Sequence, residues 1–243
     1  PGVQIPGGKA FAMTSVLWAE VSPGPSLNKR QSERMIHMHT NTKKTTLAYF
    51  DRTAADYNTS HDGKFVRPMY RTVLEEALSV PWRDVLDIGC GNGNLLAALL
   101  EARSEANYHG VDLSPNMAAE ARRRLGDGVS IQVGDAEHLP CASASFDLLI
   151  CNAVFHHCTA PETALAEMGR VLRPGGTLVL GDPTVPLPPL RALMNWGLSW
   201  GNSGDAHLYG KRELISLLER QGFVLRRWRR VNIKSFVLRA EKP

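Results

Sequence analysis

Residues 85–94 read VLDIGCGNGN: an apolar run broken by an acid, then glycines at 89, 91 and 93 just before a helical stretch opens. A strand that stops this abruptly needs residues tolerant of positive φ, and backbone without Cβ atoms lets a ligand approach closely. The free amides at the start of the next helix also favour a negatively charged group. The surrounding pattern narrows the fold further. Short apolar runs at 84–88, 108–111, 130–133, 146–151 and 177–180 alternate with helical periodicity at about 94–102, 115–125 and 161–172. Buried strands joined by amphipathic crossovers predict an α/β fold, a mostly parallel sheet with helices on both faces. Ligands of such sheets sit beyond the carboxyl ends of the strands. That rule gathers Asp87, Asp112, Asp135, Asn152 and Asp182 around one crevice.

The glycine spacing separates two ligand chemistries. A dinucleotide-binding loop has the pattern G-x-G-x-x-G, which would put glycine at position 94 when counted from Gly89; the residue there is Asn94. Asp112, at the end of the second apolar run, is placed to accept the hydroxyls of a ribose. Taken together, the loop and the acid indicate an adenosine-type cofactor. Several carboxylates aimed at one pocket suit a ligand with cationic groups, whereas a pyrophosphate would bring two negative charges into them.

The 243 residues allow one α/β domain with an added arm or lid. Helical spacing of Leu47, Phe50, Ala54 and Tyr57 from about residue 45, and a second run over 65–78, precede the first strand. After Asp182 the segment 183–210, rich in proline, carries Leu187, Leu190, Leu193, Met194, Trp196 and Trp200 and reads as a cover over the crevice. A helix at 211–221 and strand-like runs at 223–228 and 233–240 can extend the sheet as an antiparallel hairpin. Residues 1–44 are expected to form a leader or extension outside the fold, and 45–243 a single domain.

No run approaches eighteen apolar residues, so no membrane span is expected. The formal charge is +4, part of it from Arg226, Arg227, Arg229 and Arg230 around Trp228; these are read as the charged edge of a sheet that deters strand pairing. Cys90, Cys141, Cys151 and Cys158 include no C-x-x-C pair, which suits a reducing compartment and a cytoplasmic location. Cys151, His156, His157 and Cys158 lack the two separated ligand pairs usual for zinc, so no metal is expected.

Four ordered stretches, VLDIGCGNGNLL, YHGVDLSPNMAAEAR, GDAEHLPCASASFDLLICNAVFHH and EMGRVLRPGGTLVLGDP, resemble the successive motifs of the class I S-adenosylmethionine-dependent methyltransferases. The similarity is strongest to the small-molecule group that includes the ubiquinone/menaquinone-biosynthesis C-methyltransferases, and it runs over roughly 47–181. It implies a Rossmann-like fold with a seven-stranded, mostly parallel sheet and an antiparallel C-terminal hairpin. It also implies S-adenosyl-L-methionine as co-substrate. By the same resemblance, Asp87 and the backbone of Gly89, Cys90 and Gly91 hold the methionine moiety. Asp112 binds the ribose, with Leu113 and Met117 flanking the adenine. Asp135 accepts from the adenine amino group and the Ala136 amide meets a ring nitrogen. Asn152 and Ala153 line the sulfonium end, and Tyr57 closes over the cofactor.

Transfer of a methyl from a sulfonium needs mainly alignment and desolvation of the nucleophile, so a base is optional. Where the acceptor must lose a proton, His156, His157 or Tyr209 can take it. The apolar cover points to a small acceptor with apolar or aromatic surface. The other readings are an NAD(P)-dependent oxidoreductase, an RNA or protein methyltransferase, and a non-catalytic S-adenosylmethionine binder. The run after the fourth strand, Asn152 to Phe155, is NAVF, which lacks the N-P-P-[YF] pattern of base-amino methyltransferases, so a nucleic-acid partner is not expected. Nothing in the sequence fixes the oligomeric state.

Overall fold

The computed structural model describes residues 42–198 and 204–243. Seven strands, β1 (Asp84–Ile88), β2 (Asn107–Asp112), β3 (Val129–Val133), β4 (Phe146–Asn152), β5 (Leu172–Pro183), β6 (Val224–Asn232) and β7 (Ser235–Glu241), form one sheet in the order β3-β2-β1-β4-β5-β7-β6. The β1·β2, β1·β4, β2·β3 and β4·β5 pairs are parallel, and the β5·β7 and β6·β7 pairs antiparallel. The strand order turns back at β1 and β4, the switch point where such sheets open a crevice.

Around the sheet lie α1 (residues 42–53), α2 (His61–Leu78), α3 (Asn94–Ala102), α4 (Pro115–Leu125), α5 (Pro161–Val171), α6 (Pro188–Leu198) and α7 (Lys211–Arg220). Strand side chains alternate between the two faces. Leu86, Ile88, Leu149, Cys151, Leu178 and Leu180 pack with α5 and α7. Val85, Leu148, Ile150 and Val179 pack with α2, α3 and α4. Both faces being covered explains why the central strands read as unbroken apolar runs.

Local chemistry sets several boundaries. Ser114 caps α4 by accepting from Met117 N, with Pro115 in the first turn. Ser60 caps α2 in the same way through Gly63 N, so that helix begins four residues before the expected 65. The α5 helix stops at Val171, one residue short of the expected end, because Leu172 already pairs with Phe146 and Pro174 cannot continue a helix. Within the segment expected to be a cover, the apolar spacing of Leu190, Leu193 and Met194 is satisfied as the helix α6. No helix among the described residues is long and apolar enough to cross a membrane.

The arginine cluster lies on β6, and three of its four charges face acids. Arg229 reaches Glu75 at 2.8 Å and Glu76 at 3.2 Å, Arg227 reaches Glu76 at 3.5 Å, and Arg226 reaches Glu241 at 2.8 Å. Trp228 stacks on Phe236 at 4.2 Å.

Candidate active site

At the end of β1, Gly89 and Gly91 take φ of +68° and +53°. A Cβ on Gly89 would come within 2.1 Å of Val154, whereas one on Gly91 would meet nothing within 4 Å. The first glycine is therefore needed for packing, and the second leaves open space above bare backbone. The loop is pinned to β2: Gly89 N and Cys90 N both donate to Val111 O, at 2.7 and 3.1 Å. Asp112 completes the turn, its Oδ2 accepting from Gly91 N at 2.7 Å and its Oδ1 from Ser114 N at 2.9 Å. Burial pushes the Asp112 carboxyl up to about 6, against the pull of those two amides.

A crevice of about 790 Å³ opens above this turn. It is lined by Tyr57, Gly89, Gly91, Asp112, Leu113, Met117, Asp135, Ala136, Asn152, Ala153 and His157, so eleven of the sequence-predicted site residues converge there. Asp87 and Cys90 lie one layer below; Asp87 is 2% exposed and the Cys90 side chain packs in the core with Leu96 and Ile131. Burial, with the Asp112 charge beside it, pushes the Asp87 carboxyl well above the usual range. Burial disfavours the charged form of both acids, and a ligand that brings positive charge beside Asp112 and the open backbone at Gly91 would offset it, as a cationic nucleoside such as S-adenosylmethionine does. Ala153, at the end of β4, holds φ of +58°, rare for a residue with a Cβ; its N–H donates to Gly181 O at 2.7 Å, which fixes the turn.

Residues missed from the sequence also line the crevice: Lys43, Thr46 and Phe50 from α1, and Glu137 and Val154. Lys43 Nζ donates to Asp135 Oδ2 at 2.7 Å and to Glu137 Oε2 at 2.5 Å. The α1 helix is tied down again by Asp51, whose Oδ1 accepts from Ser114 Oγ at 2.6 Å and Asn116 N at 3.0 Å. Thr46 Oγ1 donates to Gly204 O at 2.7 Å. A lysine near the start of an otherwise ordinary helix carries no local signal; its role exists only once α1 crosses the sheet.

A second, larger cavity of about 1770 Å³ adjoins the first and shares Phe50, Tyr57, Ala153 and His157 with it. Leu187, Leu190 and Met194 of the cover form one wall, Phe65 and Val66 another. Leu193 and Trp196 are turned outward, 61% and 64% exposed, and Trp200 lies outside the described residues. The cover is held by Asn195, which donates to Leu208 O at 3.1 Å and accepts from Leu208 N at 2.9 Å.

The two histidines differ in their surroundings. His156 lines the larger cavity, and its Nδ1 lies 2.8 Å from Oδ1 of the fully buried Asp182. Burial works to lower the His156 pKa, but the carboxylates of Asp182 and Asp205 outweigh it and raise it above the ordinary value. The carbonyl of Gly204 lies 2.9 Å from His157 Nδ1, which fixes that nitrogen as the donor. Burial, reinforced by His156, holds His157 well below its ordinary pKa, as the neutral ring. Tyr209 does not reach either cavity: it is 3% exposed and packs on Phe155 at 5.0 Å, which removes it from the candidate proton acceptors. Cys151 is buried in the core and Cys158 borders the crevice beside His157, but neither joins the histidines in a cluster of ligand atoms among the described residues. His156, His157 and Asp205 do bring ligand atoms within 4.8 Å of one another.

Comparison with known proteins gives the same direction. Residues 86–180 match the methyltransferase domain family. A malonyl-[acyl-carrier protein] O-methyltransferase of Geobacter sulfurreducens is 30% identical over 187 residues, 72% of this chain and 68% of that one. A demethylmenaquinone methyltransferase of Deinococcus radiodurans is 38% identical over 113 residues, 45% and 47% of the two chains. Two further curated relatives are matched over 34% and 54% of their own length. Among solved structures, a SAM-dependent methyltransferase of Thermotoga maritima, described as a possible histamine N-methyltransferase, aligns with a TM-score of 0.60 at 25% identity, over 81% of this chain and 99% of that one. Motifs, sheet order, crevice and relatives agree, and the chain belongs to the class I S-adenosylmethionine-dependent methyltransferases.

Proposed function

We propose that this protein transfers a methyl group from S-adenosylmethionine to a small acceptor whose apolar or aromatic body fills the larger cavity. The observation that carries this reading is the junction: an acid-rimmed crevice floored by backbone meets an apolar cavity at Ala153 and His157. The co-substrate supplies an electrophilic methyl on a cationic sulfur. Asp112 accepts from the ribose hydroxyls, Leu113 and Met117 flank the adenine, and Asp135 with the Ala136 amide reads the adenine edge. Asp87 and the backbone of Gly89, Cys90 and Gly91 hold the methionine end. Asn152 and Ala153 border the junction, and Tyr57 closes over it with Phe50.

On the acceptor side, His156 takes the proton from a nucleophile that must lose one: Asp182 holds the ring through Nδ1, and Nε2 lies 3.6 Å from the Asp205 carboxylate, which lines the larger cavity with it. His157 stays neutral and shapes the passage between the cavities. The internal pairing of Arg226, Arg227 and Arg229 speaks against a nucleic-acid acceptor. Free thiols suit a reducing, cytoplasmic setting.

Titration calorimetry with S-adenosylmethionine and its demethylated product, followed by turnover with a panel of apolar hydroxyl, amine and activated-carbon acceptors, tests the reading. Binding and product release unaffected by a chelator are expected. Uptake of a nicotinamide dinucleotide with none of the sulfonium compound would refute it, and cofactor binding without turnover on any acceptor would favour a cofactor sensor.

A further inference from the structure

Lys43 and Asp135 stand side by side on the crevice, and their partners leave both with capacity to spare. Glu137 is 4% exposed and fixed at the start of α5: its Oε1 accepts from Thr159 N at 2.7 Å, Ala160 N at 2.9 Å and Thr159 Oγ1 at 3.1 Å. Its other oxygen, Oε2, anchors Lys43 at 2.5 Å. Asp135 is fixed in turn, Oδ1 accepting from Glu137 N at 2.9 Å, which leaves Oδ2 toward Lys43 at 2.7 Å. An ammonium has three protons, and two of them are spoken for by the two acids; a carboxylate oxygen has two lone pairs, and Lys43 takes one. The pair therefore presents a donor beside an acceptor, both held by a buried anchor and both bordering the crevice with Ala136.

An adenine shows the complementary pattern. Its exocyclic amine is a donor, and the N7 next to it is an acceptor with no proton. With the Ala136 amide serving the ring nitrogen on one side of the amine, the nitrogen on the other side is left for a second donor. We propose that Lys43 is a specificity-determining residue for the cofactor: its ammonium donates to N7 of the adenine while Asp135 accepts from the amine. The inference rests on the methyltransferase reading and adds to it a contact from α1, outside the sequence motifs. It also gives α1 a reason to lie over the adenine end of the crevice. The ion pair does not have to break for the base to bind, since each partner keeps its present bond and uses a free position for the purine.

The test is calorimetry with S-adenosylhomocysteine and its 7-deaza counterpart, in which a C–H replaces N7. The unaltered protein should bind the natural ligand roughly tenfold more tightly than the 7-deaza one, the order expected for losing one hydrogen bond to a charged donor. Lys43→Met should narrow that ratio to about twofold or less, by weakening the natural ligand rather than by improving the analogue, and Lys43→Arg should restore part of it. The comparison between two ligands on the unaltered protein does not depend on any variant folding. Equal affinity of the unaltered protein for both ligands overturns the proposal, and so does an equal loss for both in Lys43→Met, which would make Lys43 an anchor of α1 only. Failure of the unaltered protein to bind either ligand brings down the methyltransferase reading together with this inference, whereas tight binding without discrimination removes this inference alone.

Discussion

The crevice beside β1 and β2 is built from backbone and short acids on consecutive strand ends, whereas the cavity under α6 is built from side chains drawn from α1, α2, the end of β4, the cover and the β6–β7 turn. In the first, geometry is set by positive φ at Gly89 and Gly91 and by amides bonded to Asp112 and Val111. Few substitutions leave such a loop in place. In the second, the wall is Leu187, Leu190, Met194, Phe65 and Val66, which other apolar residues can replace at modest cost. On the proposed function, the contrast separates a backbone-built half that would recognise the cofactor from an adaptable half in which acceptor preference could change without disturbing the turn at Ala153.

The most damaging change should be on the rigid side. Asp112→Ala removes an acceptor for two hydroxyls, each bond to an ionised group being worth about 1.5–3 kcal/mol, so cofactor affinity measured by calorimetry should fall about 100-fold or more. Unchanged affinity would mean the crevice holds its ligand some other way. On the adaptable side, His156→Gln should lower kcat about 100-fold, in the range of a lost proton acceptor, with cofactor affinity within about twofold. Asp182→Asn should cost less, about tenfold, and shift the pH profile of kcat, because Asp182 acts through His156. A melting curve on each variant separates these effects from loss of fold.

The two halves should also titrate apart. Below about 6 Asp112 is protonated and is the weaker acceptor, so cofactor affinity should drop as pH falls through that value and level off above it. His156 must be neutral to take a proton, and its raised pKa means kcat should climb with pH over a range above the ordinary histidine value. A single shared midpoint for affinity and kcat would remove the distinction. Smaller still, Leu190→Ala should raise the acceptor KM a few fold, about 1 kcal/mol for a half-exposed side chain, with the cofactor constant unmoved. Replacing Arg226 or Arg230 by Ala should leave turnover unchanged and stability within about 0.5 kcal/mol, and a nucleic acid that binds the unaltered chain but not these variants would reverse the assignment of that edge.

Legibility in the sequence follows the same division. Gly89, Gly91 and Asp112 act through contacts within one βαβ unit, so their spacing carries the information, and the strand ends carrying Asp135, Asn152 and Ala153 follow from the alternation of elements. Lys43 and Phe50 meet the crevice only because α1 is laid over it from a point some ninety residues away, as the separation between Lys43 and Asp135 shows. The histidines were visible, but not their difference. That His156 rather than His157 has a buried carboxylate behind it depends on β5 delivering Asp182 beside the turn after β4. Tyr209 looked as available as either histidine, since nothing near it in the chain signals that its ring closes the core over Phe155.

The strand order β5-β7-β6 puts β7 inside the sheet and β6, which is made before it, at the margin. As the polypeptide emerges, β6 with its row of arginines has no hydrogen-bonding neighbour until Ser235–Glu241 has been made and slotted in. Assembly order thus runs against the order of translation, and a nascent chain halted near Asn232 would expose the open flank of β5 to other proteins. A stop near Asn232 should therefore yield an insoluble product, because β5 and β6 would lack the strand that joins them.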